Sequence, residues 1–185
     1  MGKRQLQPEP KWTDVKAKLA TFDRSQLLSL VQDLYAAHKD NQTFLHTRFG
    51  LVEDVLGAYK QTINRWLYPD IFLRQDTTSV AKAKQAIADY KKAVGDPAGA
   101  AELMVFFCEK GARFCNDVGN DDYAYLGALV RMFGQALNVA KTLPDAIQAG
   151  LIARLDLVRG ISHRLGYGVG EEIDVVFAKY TEGEE

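Results

Sequence analysis

The most apolar run in the chain is Leu103-Met104-Val105-Phe106-Phe107-Cys108. Periodicity alone does not separate a buried strand from a buried helix over so short a run. Helix-compatible sequence continues to Val118 without a turn signal, and Asp96 followed by Pro97 is a typical helix start. The length of the segment therefore favours a helix. Apolar side chains on all its sides predict that this helix lies at the centre of the fold.

The segment after Gly119-Asn120-Asp121 predicts a second central helix. It carries two apolar stripes, one running from Tyr123 to Leu137 and the other from Tyr125 to Val139. Two stripes require two packed faces, and the short turn favours antiparallel pairing with the preceding helix. We therefore predict a central antiparallel helical hairpin.

The rest of the chain repeats the helical pattern, with capping residues before apolar stripes and Gly or Pro after them. Of the 185 residues, 47% are hydrophobic and 25% are charged, as is typical of a globular domain. We predict an all-α helical bundle of about eight helices. It forms a single domain over residues 12–181, between a flexible tail at residues 1–11 and an acidic tail at residues 182–185.

Charge and hydropathy favour a protein of the cytoplasm without membrane contact. The formal net charge is -1, and no stretch approaches the roughly 20 consecutive apolar residues that span a bilayer. The segment that follows Met1 lacks the apolar core of a signal peptide.

The two cysteines predict buried, reduced thiols. Cys108 and Cys115 are seven residues apart, which is about 10.5 Å of helical rise. This distance is too long for a disulfide or for one metal ion to reach both sulfur atoms. Met104 and Val118 share their stripe, which indicates an apolar environment.

Two other segments invite a metal interpretation. His38 and His46, with Asp40 between them, could supply metal ligands, and the acidic residues 116–122 could bind calcium. The spacing of the histidines matches no established metal motif, and the acidic segment lacks the ligand pattern of an EF-hand. Helix capping explains the acidic segment, and we predict no metal site in either place.

The glycine-rich segment Gly166-Tyr167-Gly168-Val169-Gly170 invites comparison with a nucleotide-binding loop. No strand precedes it, and Glu171 and Glu172 would repel a phosphate at the start of the next helix. A helix end followed by a tight turn explains the glycines. We therefore predict no nucleotide and no other cofactor.

Basic residues in the first half of the chain are candidate partner contacts. Lys84 and Lys91 flank the apolar arc of one helix, with Lys92 farther out and Arg74 in the preceding loop. Such residues could contact nucleic acid. They could equally lay their aliphatic stems over the edge of the core while their charges stay in water.

The second central helix has a third face that includes Gly127, Arg131 and Gly134. Each glycine within a helix costs about 1 kcal/mol relative to alanine. A closely packed helix, from the same chain or from a partner chain, would offset that cost. These three residues are therefore further candidate partner contacts.

An ion pair is predicted between the two central helices. Glu109 precedes the turn at Gly119 by about as many residues as Arg131 follows it, so both lie at a similar level of an antiparallel hairpin. Arg113 stands four residues after Glu109, in the favourable order for a helical pair. We expect a partly buried Glu109 to pair with Arg113, with Arg131 or with both.

Three segments together carry a family resemblance: residues 27–35, residues 102–111 and residues 124–133, followed by Gly166-Tyr167-Gly168. In this order they resemble a family of small bacterial all-helical proteins that is catalogued as a domain of unknown function. The resemblance implies an all-helical fold and a bacterial origin. It implies no catalytic residue.

No nucleophile with its base, metal cluster or phosphate-binding loop stands out in the sequence. The favoured interpretation is therefore a non-catalytic helical module that binds another protein. A nucleic-acid-associated protein that uses the basic residues of the first half is one alternative. An enzyme whose site is assembled from distant residues is the other. The sequence does not specify an oligomeric state.

Overall fold

A computed structural model describes residues 9–69 and 77–182, and no strand occurs among them. The prediction of an all-α fold is confirmed, and the predicted number of helices is close to the nine that these residues form. The helices are α1 (Trp12–Leu19), α2 (Arg24–Ala37), α3 (Lys39–Arg48), α4 (Val55–Leu67), α5 (Val80–Ala93), α6 (Pro97–Val118), α7 (Tyr123–Ala140), α8 (Asp145–Ser162) and α9 (Val169–Glu182).

The chain divides into two compact units, residues 1–42 and residues 43–185. The sequence predicts one domain over residues 12–181, which includes parts of both units, and that assignment stays a prediction. Most of the two predicted tails lies outside the described residues. Helix α9 extends to Glu182, the first residue of the predicted acidic tail.

The first unit contains α1 and α2, and both helices begin with capping side chains. The backbone N–H of Lys11 donates to the Asp14 carboxylate over 2.7 Å, so α1 starts there. At the start of α2, Asp23 and Gln26 exchange hydrogen bonds with each other's backbone N–H groups. Two such reciprocal hydrogen bonds form a capping box. No residue of α1 or α2 is buried.

The core of the second unit is built around α6. This helix of 22 residues packs against α4, α5, α7 and α8. Its start is capped by the Asp96 carboxylate, which accepts hydrogen bonds from the N–H groups of Ala98 and Gly99. Leu103 and Phe107 on one side of the helix and Val105 on the other are all fully buried. The apolar run at residues 103–108 is therefore a central helix, as predicted.

Helices α6 and α7 form the predicted central hairpin. Gly119 ends α6 in the left-handed conformation, with φ of 66°, and the Asp122 carboxylate caps α7 by accepting from the N–H of Tyr125. The two helices meet along the face of α6 that carries Gly111. A Cβ atom there would lie 3.5 Å from Leu129 Cδ1. The Tyr125 hydroxyl donates to the Leu67 carbonyl over 2.9 Å, which joins α7 to the end of α4.

Helix α9 packs against α7 and α8. A Cβ atom at Gly134 would lie 3.3 Å from Val176 Cγ1 of α9. The close neighbour of this part of α7 is therefore a helix of the same chain. No helix in the described part of the chain is long and apolar enough to cross a membrane.

Candidate binding surfaces

A cleft of about 440 Å³ opens between α6 and α8. Each helix supplies four residues to it at the same spacing, so two helical turns of each face the cleft. We call it the α6–α8 cleft. Its lining consists of Phe106, Glu109, Lys110 and Arg113 from α6, and of Arg154, Leu157, Val158 and Ile161 from α8.

An ion-pair network crosses from α8 to α6 beside the cleft. Arg154 donates through Nε and Nη2 to the two carboxylate oxygens of Glu109, over 2.7 and 2.8 Å. Its Nη1 donates to Glu102 over 2.5 Å. Lys60 of α4 completes the network, with its Nζ 2.6 Å from the other oxygen of Glu102. Bidentate pairs of this kind fix geometry as well as charge.

The network shifts the pKa values of Glu102 and Arg154 in the direction that favours their charged forms. Partial burial acts to raise the pKa of Glu102, but hydrogen bonds from Arg154 and Lys60 outweigh it and hold that pKa below its usual value. Hydrogen bonds to Glu109 raise the pKa of Arg154 further above its usual range, against the effect of burial. Glu102 is therefore ionised near neutral pH. A general acid or base would need a pKa close to the working pH.

The predicted ion pair of Glu109 with Arg113 or Arg131 is wrong, because Glu109 binds Arg154 instead. The prediction did not fail because Glu109 and Arg131 lie at different levels of the hairpin. Helix α7 packs against the Gly111 side of α6, whereas Glu109 faces α8. Arg131 lines a different cavity, beside α9.

The rim of the cleft is basic and apolar. Lys110 Nζ lies 5.4 Å from the centre of the Phe106 ring, a cation–π distance. Leu157 is 71% exposed, whereas Leu155 and Val158 on the same helix are buried. Leu157 therefore adds an exposed apolar side chain to the basic residues at the rim of the cleft.

The exposed apolar residues of α1 and α2 are a second candidate binding region. Trp12 is 67% exposed, Leu28 61% and Leu34 52%. On α2, Leu27, Leu28, Val31, Leu34 and Tyr35 recur at helical spacing on one face. We refer to these residues, with Trp12, Val15 and Phe22, as the N-terminal apolar face.

The predicted partner contacts do not come together at one site. Gly127 and Arg131 line a cavity of about 310 Å³ with Tyr123 and Tyr167, whose rings make edge-to-face contact at 5.9 Å. A Cβ atom at Gly127 would lie 3.3 Å from Arg131 Nη1, so this glycine leaves room for the guanidinium. Gly134 lies farther along α7, against α9.

The predicted basic contacts lie on α5, which does not line the α6–α8 cleft. Lys91 and Lys92 are exposed near the end of that helix, and Lys84 is half-buried. The backbone carbonyl of Lys92 accepts a hydrogen bond from Arg48. Arg74 lies outside the described residues.

The described residues contain no group of three His, Cys, Asp or Glu side chains close enough to hold one metal ion. Cys108 and Cys115 are free thiols and both are buried, as predicted. Burial raises the pKa of the Cys108 thiol well above its usual value, and it raises that of Cys115 to about 11. Neither sulfur is therefore a reactive thiolate near neutral pH.

Arg154 and Leu157, which both line the cleft, were not predicted as site residues from the sequence. A signal for Arg154 was present, because it sits between Leu151 and Leu155 of the buried stripe on α8. A charged residue at the edge of such a stripe needs a partner when the helix packs. No comparable signal marks Leu157.

Comparison with known proteins gives no relative from which a function could be transferred. No protein-family model matches the chain. No curated protein and no solved structure matches it significantly.

Proposed function

We propose that this chain is a non-catalytic helical protein-interaction module of a bacterial cytoplasm. The observation that carries the proposal is the N-terminal apolar face, which belongs to two helices without a single buried residue. Helices as short as α1 and α2 are marginal in water unless an apolar face is packed. A partner that covers this face would provide the missing burial.

The charge of these helices favours a protein as the partner. Acidic and basic residues are equally numerous over residues 9–42. Nucleic acid and anionic membranes are bound by an excess of basic residues, which this segment does not have. An apolar surface of another protein is the complementary surface.

The state of the cleft supports a non-catalytic role. Glu109 and Arg154 of its lining, and the neighbouring Glu102, are engaged in ion pairs with one another. Groups held in this way stabilise a surface and hold its shape.

The experiment compares partner capture by two charge-introducing variants of α2. Leu28→Glu places a carboxylate on the N-terminal apolar face, whereas Ser29→Glu places one on the opposite, exposed face of the same helix. We expect a protein captured from the native cell by the parent chain to be retained by Ser29→Glu and lost by Leu28→Glu. Capture is quantified by mass spectrometry after nuclease treatment.

Equal capture by both variants would contradict the proposal. A salt-dependent shift on DNA or RNA that Leu28→Glu leaves unchanged would instead favour the nucleic-acid alternative. Sedimentation velocity of the parent chain shows whether the captured protein is a second copy.

A further inference from the structure

We propose that the α6–α8 cleft binds an acidic amphipathic helix of a partner protein. This site lies wholly within the second unit and shares no residue with the N-terminal apolar face. It extends the proposed function to a second binding surface, and it names the chemistry of what that surface accepts.

The shape of the cleft fits a helix. Residues 106, 109, 110 and 113 of α6 and residues 154, 157, 158 and 161 of α8 line it, each set spaced as one face of a helix. Two neighbouring helices with open faces over two turns, about 10 Å, form the groove that a third helix fills in a bundle. Helix-in-groove binding uses this arrangement between proteins.

The apolar part of the cleft would receive the apolar face of that helix. Leu157 is largely exposed at the rim, and Phe106 and Ile161 are half-buried beside it. Val158 is buried and forms part of the floor. Covering Leu157 would remove apolar surface from water at about 25 cal/mol per Å².

The charges of the cleft favour a partner helix with acidic residues on both sides of its apolar face. The lining contains three basic side chains and one carboxylate, Glu109. Arg154 is already shared by Glu109 and Glu102. Within the described part of the chain, neither Lys110 nor Arg113 has a carboxylate oxygen within ion-pair distance. Asp117, one turn beyond Arg113, accepts a hydrogen bond from the Tyr68 hydroxyl. The charge of Arg113 acts on this carboxylate only from beyond ion-pair distance, as a minor cause of its lowered pKa.

The ion pairs of Arg154 leave Lys110 and Arg113 available to a ligand. Arg154 holds Glu102 and Glu109 at the α8 side of α6, so Glu109 does not reach back to Arg113. A helix with glutamate or aspartate on its flanks could pair with Lys110 and Arg113 while its apolar face covers Leu157. A nucleic acid would meet the same two cations but would gain little from Leu157.

The test uses a synthetic peptide probe with a fluorescein label. The acidic probe has about four helical turns, with leucine along one face and glutamate along both flanks, and its counterpart carries lysine in place of glutamate. Binding to the full chain is measured by fluorescence anisotropy at ~0.15 M salt. We expect the acidic probe to bind at least about tenfold more tightly than the basic one.

Three variants test whether the acidic probe binds in the cleft. Lys110→Glu with Arg113→Glu should reverse the preference between the probes, and Leu157→Asp should weaken the binding of the acidic probe by at least about tenfold. The matched control is Arg164→Glu with Lys179→Glu, the same change of charge at exposed positions outside the cleft, which should leave both affinities unchanged. The changed side chains are exposed or half-buried, and circular dichroism verifies that each variant is folded.

Equal binding of the two probes to the parent chain overturns the proposal. So does a control variant that changes the preference as much as the cleft variant does, or a Leu157→Asp variant that binds normally. RNA binding that is lost in the cleft variant, without binding of the acidic probe, would assign the cations to nucleic acid instead. Failure of the Leu28→Glu experiment does not affect these outcomes, because every cleft residue lies in the second unit.

Discussion

Arg154 is the residue on which the arrangement of the cleft depends. It binds one carboxylate 45 residues away and another 52 residues away in the sequence. Its side chain is 32% exposed and that of Glu102 is 20% exposed, so the network is only partly shielded from water. Such pairs matter more than fully exposed pairs, which are worth about 0–1 kcal/mol. Removal of one partner leaves the other charge without compensation.

Glu102→Gln should lower the free energy of unfolding at pH 7 by about 1–3 kcal/mol. The folded state holds the pKa of Glu102 below its usual value of 4.5. Its stabilising effect is therefore fully present above pH 4.5 and is lost as the pH falls through the lower pKa of the folded state. Urea denaturation at pH 7, 5, 4 and 3 should show the difference from the parent chain shrinking below pH 4.5.

The matched control for this prediction is Glu53→Gln, which changes an exposed glutamate. It should leave the free energy of unfolding almost unchanged at pH 7. A constant difference between Glu102→Gln and the parent chain across the whole pH range would contradict the assigned cause, since loss of packing alone does not depend on pH.

Within the helical elements, two glycines have opposite effects on stability. Gly119 ends α6 with φ of 66°, a conformation that other residues adopt only with strain. Gly160 lies inside α8 with nothing within 4 Å of the position of a Cβ atom. The first glycine is required by the turn of the central hairpin, whereas the second only lowers helix propensity.

Substitution of each glycine by alanine should therefore have opposite effects on stability. Gly119→Ala should lower the free energy of unfolding by about 1–2 kcal/mol, because alanine is strained in the left-handed region. Gly160→Ala should raise it by about 0.5–1 kcal/mol, because alanine favours the helix and nothing obstructs its methyl group. Thermal denaturation of both variants measures the difference, and changes of the same sign would refute the argument.

For the whole molecule, apolar burial differs sharply between the two units. More than half of the residues of α6 are buried, whereas no residue of α1 or α2 is buried. Local stability follows the apolar contacts that hold a segment, so a segment without a core opens far more often than one at the centre. A segment of low local stability, such as α1 and α2, can become ordered when it binds a partner.

Amide hydrogen exchange should reveal this difference. Peptides from α1 and α2 should exchange rapidly, and peptides from residues 103–115 should exchange only through global unfolding. Mass spectrometry at two protein concentrations measures both. Slow exchange in α2 at low protein concentration would show that its apolar face is already covered, and it would weaken the proposed function.

The sequence by itself determined the elements of this protein. Helix caps such as Asp23 and Asp96, the left-handed Gly119 and the apolar run at residues 103–108 act over a few residues, so their consequences could be read from local spacing. The burial of both cysteines followed from the same periodicity. The all-α class and the central hairpin could be predicted by combining such local signals.

Only the tertiary structure decided which side chains meet. The partner of Glu109 depends on which helix covers its face of α6. Spacing along the chain predicted an ion pair with Arg113 or Arg131, whereas the packing of α8 against α6 brings Arg154 to Glu109. The α6–α8 cleft is likewise a product of two helices separated by the whole of α7. Rotation of a helix about its own axis is fixed by the shape of the core, and that information is distributed over distant residues.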